Sequence, residues 1–416
     1  MRHPVPLTRE VIKAAAAKVA DRVVWTYAPR LHWENAVFFD GLVLLGEQME
    51  LESAGSGDRF LQRAASVLLE SDDAIETVYW GDATAFAQAA MDLYRVLPPS
   101  DPRRADLLVT LVGPMEFAEH AVGVSPSDGP PRDPWWVDGG YGVRFWQDDF
   151  YMVVPWLALH GSIREGLPAN ELARNLAYEW IEAYVYDHRP ISDDPREVAV
   201  PSSRSRRGTL LWDEDFRLFQ HDPGNLGSTQ YFWGRGNGWS LVALARAAKY
   251  LDAPYTGDRY DEVLTSDEIR HLLRLAAESL IDRRTPDGGW PPYLTDPGRC
   301  PTAETSATGL LTFFLTLGVN EGWLDRHIYA PVVLRAFELL MTRVAADGTL
   351  TGIQPPSIGP GCELWASDHE TTNLNYGPGA FLLAASQVLQ LLDHEPDHSA
   401  ADQSGRAEVG HRQMQQ

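Results

Sequence analysis

Apolar residues recur at helical spacing in about twelve segments of the chain. Their approximate spans are 8–26, 34–51, 57–70, 82–97, 104–120, 148–164, 169–188, 236–251, 265–284, 304–318, 324–346 and 376–394. The segments alternate in character. Those in odd places are amphipathic. Thr265-Ser266-Asp267-Glu268 opens one with a capping signal, and Ile269, Leu272, Leu273, Leu275, Ala276 and Leu280 trace its apolar stripe. Those in even places are apolar on most faces: Ala36-Val37-Phe38-Phe39 leads to Leu42-Val43-Leu44-Leu45, and Gly309-Leu310-Leu311 to Phe313-Phe314-Leu315. A helix of that kind is buried.

Six exposed-plus-buried pairs predict an all-α fold, an (α/α)6 barrel with six inner helices inside six outer ones. All inner helices then start at one mouth, where free backbone N–H groups and positive dipole ends favour anionic ligands. Short extended pieces around Thr209-Leu210-Leu211-Trp212 and Gly348-Thr349-Leu350-Thr351 fit small hairpins in the loops. Two long connections, roughly 121–147 and 189–235, lead into the densest polar-aromatic clusters, as functional loops often do. The expected organisation is one catalytic domain over residues 1–396, with 397–416 a polar, disordered tail.

Composition narrows the picture. Hydrophobic residues are 44% of 416, enough for a large core, and no apolar stretch approaches the ~20 residues of a membrane span. A formal net charge of -23 repels nucleic acid and anionic membrane. It also means that an anionic substrate needs a local cation. The N-terminus lacks a secretory apolar core, which predicts a cytoplasmic protein. The only cysteines, Cys300 and Cys362, allow one disulfide but are expected as two free thiols. Histidines are scattered without ligand spacing, so neither a metal nor another cofactor is expected.

The clusters of Trp, Asp, Arg and Gly sit at or just before every second predicted helix. They are His32-Trp33-Glu34-Asn35, Trp80-Gly81-Asp82, Trp146-Gln147-Asp148-Asp149, Trp233-Gly234-Arg235-Gly236-Asn237-Gly238-Trp239, Glu304-Thr305-Ser306 and Asn375-Tyr376-Gly377. Aromatic faces with a few carboxylates and one Arg are the chemistry of sugar binding. Asp148 is the candidate acid: Trp146 and Tyr151 would desolvate a carboxyl there and favour its protonated form. Asp149 reads as a helix-capping acid. Arg235 offers a planar fork suited to a carboxylate, and its flanking glycines would let backbone approach ligand. Of the 14 tryptophans, Trp33, Trp80, Trp135, Trp136, Trp146, Trp212, Trp233 and Trp290 fall near helix starts or mouth loops. About half of these are expected to touch ligand.

Four pieces in order carry a resemblance to a known family. They are Trp146-x-Asp148-x-Phe150-Tyr151-Met152, Trp233-x-Arg235-Gly236-Asn237-Gly238-Trp239, Glu304-Thr305-Ser306-Ala307 and Tyr376-Gly377-Pro378-Gly379-Ala380-Phe381. The chain resembles the unsaturated rhamnogalacturonyl and unsaturated glucuronyl hydrolases (glycoside hydrolase family 105, related to family 88) from about residue 30 to 392. The resemblance implies that Asp148 is general acid and base, assisted by Asp82. It puts Trp146, Trp233, Arg235, Trp33, Trp80, Trp136, Trp212, Arg144, Thr305 and Tyr376 against substrate. The implied substrate is a lyase-generated oligosaccharide ending in a 4,5-unsaturated uronic acid, processed by a monomer or homodimer. The implied reaction is hydration of the C4=C5 bond, for which one carboxyl can be both acid and base, unlike ordinary glycosidases. Some members carry a loop His where this chain reads Leu210-Leu211-Trp212-Asp213, and His221 lies further on. Whether His221 takes that place, and which polysaccharide supplies the substrate, the sequence leaves open.

Two other readings share the architecture. An inverting glycosidase acting on a saturated oligosaccharide would pair Asp148 with Asp82 at ~6.5–9.5 Å. A glycan-binding protein without catalysis would be indifferent to the loss of Asp148.

Overall fold

The computed structural model of the protein describes residues 7–26, 33–70, 84–123, 147–163, 167, 169–186, 209, 211–221, 232–356, 361–368 and 374–393. Thirteen helices run through them. They are α1 (Arg9–Thr26), α2 (Trp33–Glu52), α3 (Asp58–Glu70), α4 (Ala87–Val96), α5 (Arg103–Thr110), α6 (Val112–Gly123), α7 (Gln147–Ser162), α8 (Asn170–Val185), α9 (Gly234–Tyr250), α10 (Ser266–Ile281), α11 (Thr305–Asn320), α12 (Arg326–Thr342) and α13 (Tyr376–Asp393). Helices α2, α4, α7, α9, α11 and α13 each pack on the next, and α13 returns to α2, closing an inner ring. Six of the remaining helices lie outside it, each against an inner partner: α1 on α13, α3 on α2, α5 on α4, α8 on α7, α10 on α9 and α12 on α11, while α6 packs on α5 and α8. This is the predicted double ring.

Local chemistry explains the elements. Thr265 caps α10 by accepting from the Glu268 N–H, and Glu268 accepts in return from the Thr265 N–H. This reciprocal cap is worth about 1 kcal/mol. Nearly every residue of α9, α11 and α13 is buried, as inner helices require. The one predicted outer segment at 104–120 is two helices. Pro114 has no N–H for the Thr110 carbonyl, so the chain tightens at Leu111, whose N–H donates to Leu108 O, and restarts.

Two small antiparallel hairpins stand in the loops. β1 (Trp212–Asp213) pairs with β2 (Leu218–Phe219), and β3 (Thr351–Ile353) with β4 (Trp365–Ala366). Cys300 and Cys362 form a disulfide with Cα atoms 5.4 Å apart. This corrects the expectation of two free thiols. Spacing alone could not reveal the pairing, because the loops that bring the two residues together lie 62 positions apart. Closing a loop of that length stabilises a fold by about 4 kcal/mol in the chain-entropy account.

The lumen holds a polar cluster below the mouth. Asp40 of α2, Asp92 and Gln88 of α4, Tyr151 of α7 and Arg246 of α9 are all buried. Tyr151 Oη donates to Asp40 Oδ2 (2.5 Å), Arg246 pairs with Asp92, and Gln88 Nε2 donates to Asp92 Oδ2 (2.9 Å). Tyr151 therefore turns into the lumen rather than toward Asp148, contrary to the expectation that its ring desolvates that acid. No described helix is long and apolar enough to cross a membrane.

Candidate active site

Four inner helices deliver their first turns to one place. Asp148 is second in α7, Arg235 second in α9 behind Trp233, Thr305 first in α11 behind Glu304, and Tyr376 first in α13. A chain of contacts joins them. His221 Nε2 lies 3.5 Å from Asp148 Oδ2, and the His221 ring meets the edge of Trp233 at 5.2 Å. The Arg235 guanidinium stacks between Trp233 (4.4 Å) and Tyr376 (4.7 Å). Asp148 and Arg235 thus face a common neighbourhood. Asp148 is a quarter exposed, yet its Oδ2 is closed to solvent and accepts no hydrogen bond from the described residues.

The glycines of the α9 start serve packing. A Cβ on Gly236 would meet Gln147 Oε1 at 1.8 Å, one on Gly234 the Pro291 carbonyl at 2.5 Å, and one on Gly238 Leu310 Cβ at 2.7 Å. They let α9 press on α7, on the loop before α11, and on α11 itself. The expected approach of backbone to ligand is replaced by approach of backbone to protein. Asn237, between them, docks the β1–β2 hairpin. Its Oδ1 accepts from the Phe219 N–H (2.8 Å), and its Nδ2 donates to Phe219 O and Trp233 O (3.0 Å each). Gln147 adds its own Nε2 to Phe219 O (2.9 Å) and its N–H to His221 O (3.2 Å). Two buried amide side chains therefore set where His221 stands beside Asp148. The sequence signal was available, since Asn237 lies inside the motif, but its partner is a hairpin that only the fold brings near.

Arg235 is almost wholly buried, and its donors are partly spent. Nη1 donates to Gln354 O (2.8 Å) and Ser306 Oγ (3.4 Å), and Nη2 to Pro355 O (3.3 Å). No described carboxylate pairs directly with it, and Glu304 reaches it only through Ser306 Oγ. Tyr376 Oη also donates to Gln354 O (2.6 Å). Burial holds that phenol above its ordinary value, against the opposing pull of Arg235. Glu304 caps α11 from a fully buried position. Its carboxylate accepts from the N–H groups of Ser306 (2.9 Å), Ala307 (2.6 Å) and Gln354 (3.0 Å), and from Ser306 Oγ. Backbone donors and the helix dipole compensate the buried charge.

The structure sorts the predicted residues. Asp148, Trp233, Arg235 and Tyr376 come together. Thr305 is buried, with its Oγ1 donating to Thr351 O (2.7 Å), so it anchors β3. Trp212 is buried edge-on against Phe219, and Trp290 is fully buried with Nε1 donating to Leu280 O (3.0 Å). Both are packed into the protein interior. Asp82, Trp80, Trp135, Trp136, Arg144, Trp146 and the side chain of Trp33 lie outside the described residues, as do the tail and most of both long connections. Sequence reasoning missed Gln354 altogether. It lies in no motif, and its partners Trp233, Arg235, Glu304 and Tyr376 are 22 to 121 positions away.

Residues 8–392 match Glycosyl Hydrolase Family 88. Two curated relatives, each named unsaturated 3S-rhamnoglycuronyl hydrolase, match part of the chain. The protein from Formosa agariphila is 33% identical over 192 residues, 44% of this chain and 48% of that protein. The one from Alteromonas sp. (strain LOR) is 34% identical over 180 residues, 43% and 40%. The match thus spans less than half the length of either relative. Among solved structures, a glycosyl hydrolase family 88 protein from Bacteroides vulgatus superposes with a TM-score of 0.64 at 23% identity, covering 92% of this chain and 99% of that one. An unsaturated glucuronyl hydrolase from Bacillus sp. GL1 gives 0.57 at 14%, covering 92% and 97%. These likenesses show a common fold.

Proposed function

Because the chain belongs to Glycosyl Hydrolase Family 88, we propose that it removes a 4,5-unsaturated uronic acid from the non-reducing end of lyase-generated oligosaccharides. Asp148 protonates C4 of the vinyl ether, and water adds at C5 while giving up a proton to the same carboxylate. The C5 hemiketal opens to a ketone, which frees the ring oxygen as a hydroxyl on C1. The hemiacetal at C1 then expels the next sugar and becomes an aldehyde. The carrying observation is Asp148 itself: a carboxylate with one oxygen closed to solvent and unbonded among the described residues, in one contact chain with a buried arginine that no described carboxylate pairs directly. Arg235 supplies positive potential to the uronate through a buried, low-dielectric setting. His221 steadies the anionic form of Asp148 between proton donation and recovery. In a chain of net charge -23, the Arg235 guanidinium is what makes an anionic sugar welcome.

The names of the two curated relatives put a rhamnose-linked unsaturated uronate first among candidate substrates. The test follows absorbance of the conjugated double bond with unsaturated disaccharides made by ulvan, rhamnogalacturonan, pectate and heparin lyases. Decay is expected with at least one substrate, and Asp148→Asn should slow it by 10³-fold or more, on the order of the loss of a general acid with its charge. Turnover of saturated oligosaccharides alone would overturn the proposal.

A further inference from the structure

Trp233 is held from two sides. Its main chain bridges to Tyr293, with Leu294 N–H donating to Phe232 O (3.0 Å) and Gly234 N–H to Pro292 O (2.9 Å). Its indole Nε1 donates to the side-chain Oε1 of Gln354 (2.7 Å). Gln354 is 1% exposed and uses every polar atom it has. Its N–H donates to Glu304 Oε1 (3.0 Å), its carbonyl accepts from Arg235 Nη1 and Tyr376 Oη, and its Nε2 donates to Gly361 O (2.7 Å). Beside Gly361 stands Cys362, whose disulfide returns to Cys300 in the segment that follows Tyr293. The connections close on themselves: Trp233 backbone, the 290s segment, the disulfide, Gly361, the Gln354 side chain, Trp233 indole.

We propose that Gln354 is a positioning residue for the substrate-side wall, fixing the Trp233 indole and the Arg235 guanidinium, with the Cys300–Cys362 disulfide as the strap that keeps Gln354 in place. The assignment rests on the proposed function only for its kinetic consequence. Its structural consequence stands alone. Trp233 and Arg235 are stacked on each other, so a freed indole also frees the guanidinium. Two carbonyls that hold Arg235 belong to Gln354 and its neighbour Pro355. Displacing this short segment removes both at once. Asp148 lies on α7, outside the frame, and although the His221 ring touches Trp233, its main chain is held separately by Gln147, so the proton donor keeps its setting.

Gln354→Met preserves length and volume and removes both side-chain hydrogen bonds. Gln354→Glu keeps an acceptor for Trp233 and loses the donor to Gly361. Hydrogen exchange of substrate-free protein should rise about tenfold or more at 232–236 and at Ile353 and residue 354 in Gln354→Met, less in Gln354→Glu, and comparably in Cys362→Ser or under a reductant. On an unsaturated disaccharide, Gln354→Met should raise KM about tenfold while kcat stays within about threefold. Unchanged exchange in these segments overturns the inference whatever the substrate proves to be. So does a fall in kcat with KM unaltered. If the unaltered protein turns over no unsaturated sugar, the functional reading fails and the exchange comparison still decides the role of Gln354.

Discussion

Glu304 shows how much one side chain can organise at this mouth. Four donors converge on its carboxylate, two of them the otherwise unpaired N–H groups of the α11 start and one the N–H of Gln354. Glu304→Gln removes the charge and turns one oxygen into a donor aimed at other donors. The expected loss is about 2–3 kcal/mol of unfolding free energy, since charge-assisted bonds are the strong ones and a buried donor is left unmatched. Urea titration measures it, and a change below about 0.5 kcal/mol would mean the cap is dispensable. The same substitution should loosen Ser306 and, through it, the Nη1 contact of Arg235. Arg235 itself is a lesson in scale. Its residue type announced a carboxylate fork, but two of its nitrogens are committed to carbonyls and hydroxyl, which leaves charge rather than a free fork as its main offering.

At the level of elements, the barrel closes where helices nearly touch backbone to backbone. A Cβ on Gly379 of α13 would meet Phe38 N and Val37 C of α2 at 2.5 Å, and one on Gly41 of α2 would meet Leu382 Cβ at 2.7 Å. Backbone cannot step aside as a side chain can, so Gly379→Ala should push α2 from α13 and cost roughly 2–4 kcal/mol as overpacking. Gly113, exposed in α6 with nothing within 4 Å of an added Cβ, is the contrast. There alanine should stabilise by up to about 1 kcal/mol through helix propensity. Thermal melts of the two variants should move in opposite directions, and a neutral Gly379→Ala would refute the close crossing. These glycines also mark the boundary of what the sequence discloses. Helix positions were legible because apolar periodicity is local, and the alternation of striped and wholly apolar helices gave the two rings. The split at Leu111 was missed because Pro114 sits in an otherwise continuous pattern. The partners of Gly379, Asn237, Cys300 and Gln354 were hidden because each is set by a crossing of elements distant in the chain. Asp148, Trp233, Arg235 and Tyr376 could be found from sequence because each opens an inner helix, and the barrel gathers those starts by construction.

For the whole molecule, the lumen cluster ties folding to pH. Burial pushes the Asp40 carboxyl up to about 7 from an ordinary 3.8, against the opposing pull of Arg246 and the hydrogen bond from Tyr151, and Asp92 pushes the same way as burial. The groups facing it come from three other inner helices: Asp92 on α4, Tyr151 on α7 and Arg246 on α9, with the Arg95–Glu47 pair bordering Asp92. Between pH 3.8 and about 7 the folded protein retains a proton that the unfolded chain has released. The contribution of Asp40 to stability is therefore greatest below that window. It declines as pH rises through the window and levels off above it, a span of a few kcal/mol, roughly 4 at most. His160 acts in the opposite sense. Burial lowers its imidazole from 6.5 to about 4, so stability is lost as pH falls across that interval. The melting profile of the unaltered protein mixes the two, which makes the difference between variants the informative quantity. Asp40→Asn keeps shape and a polar partner for Tyr151 but cannot titrate. Its unfolding free energy should gain on that of the unaltered protein from pH 5 to about pH 7 and then level off, by about 1–3 kcal/mol in urea titrations at matched ionic strength. A difference that stays flat across those conditions would mean Asp40 is ionised throughout, compensated by Arg246. The lumen would then hold a fixed ion network instead of a titrating one.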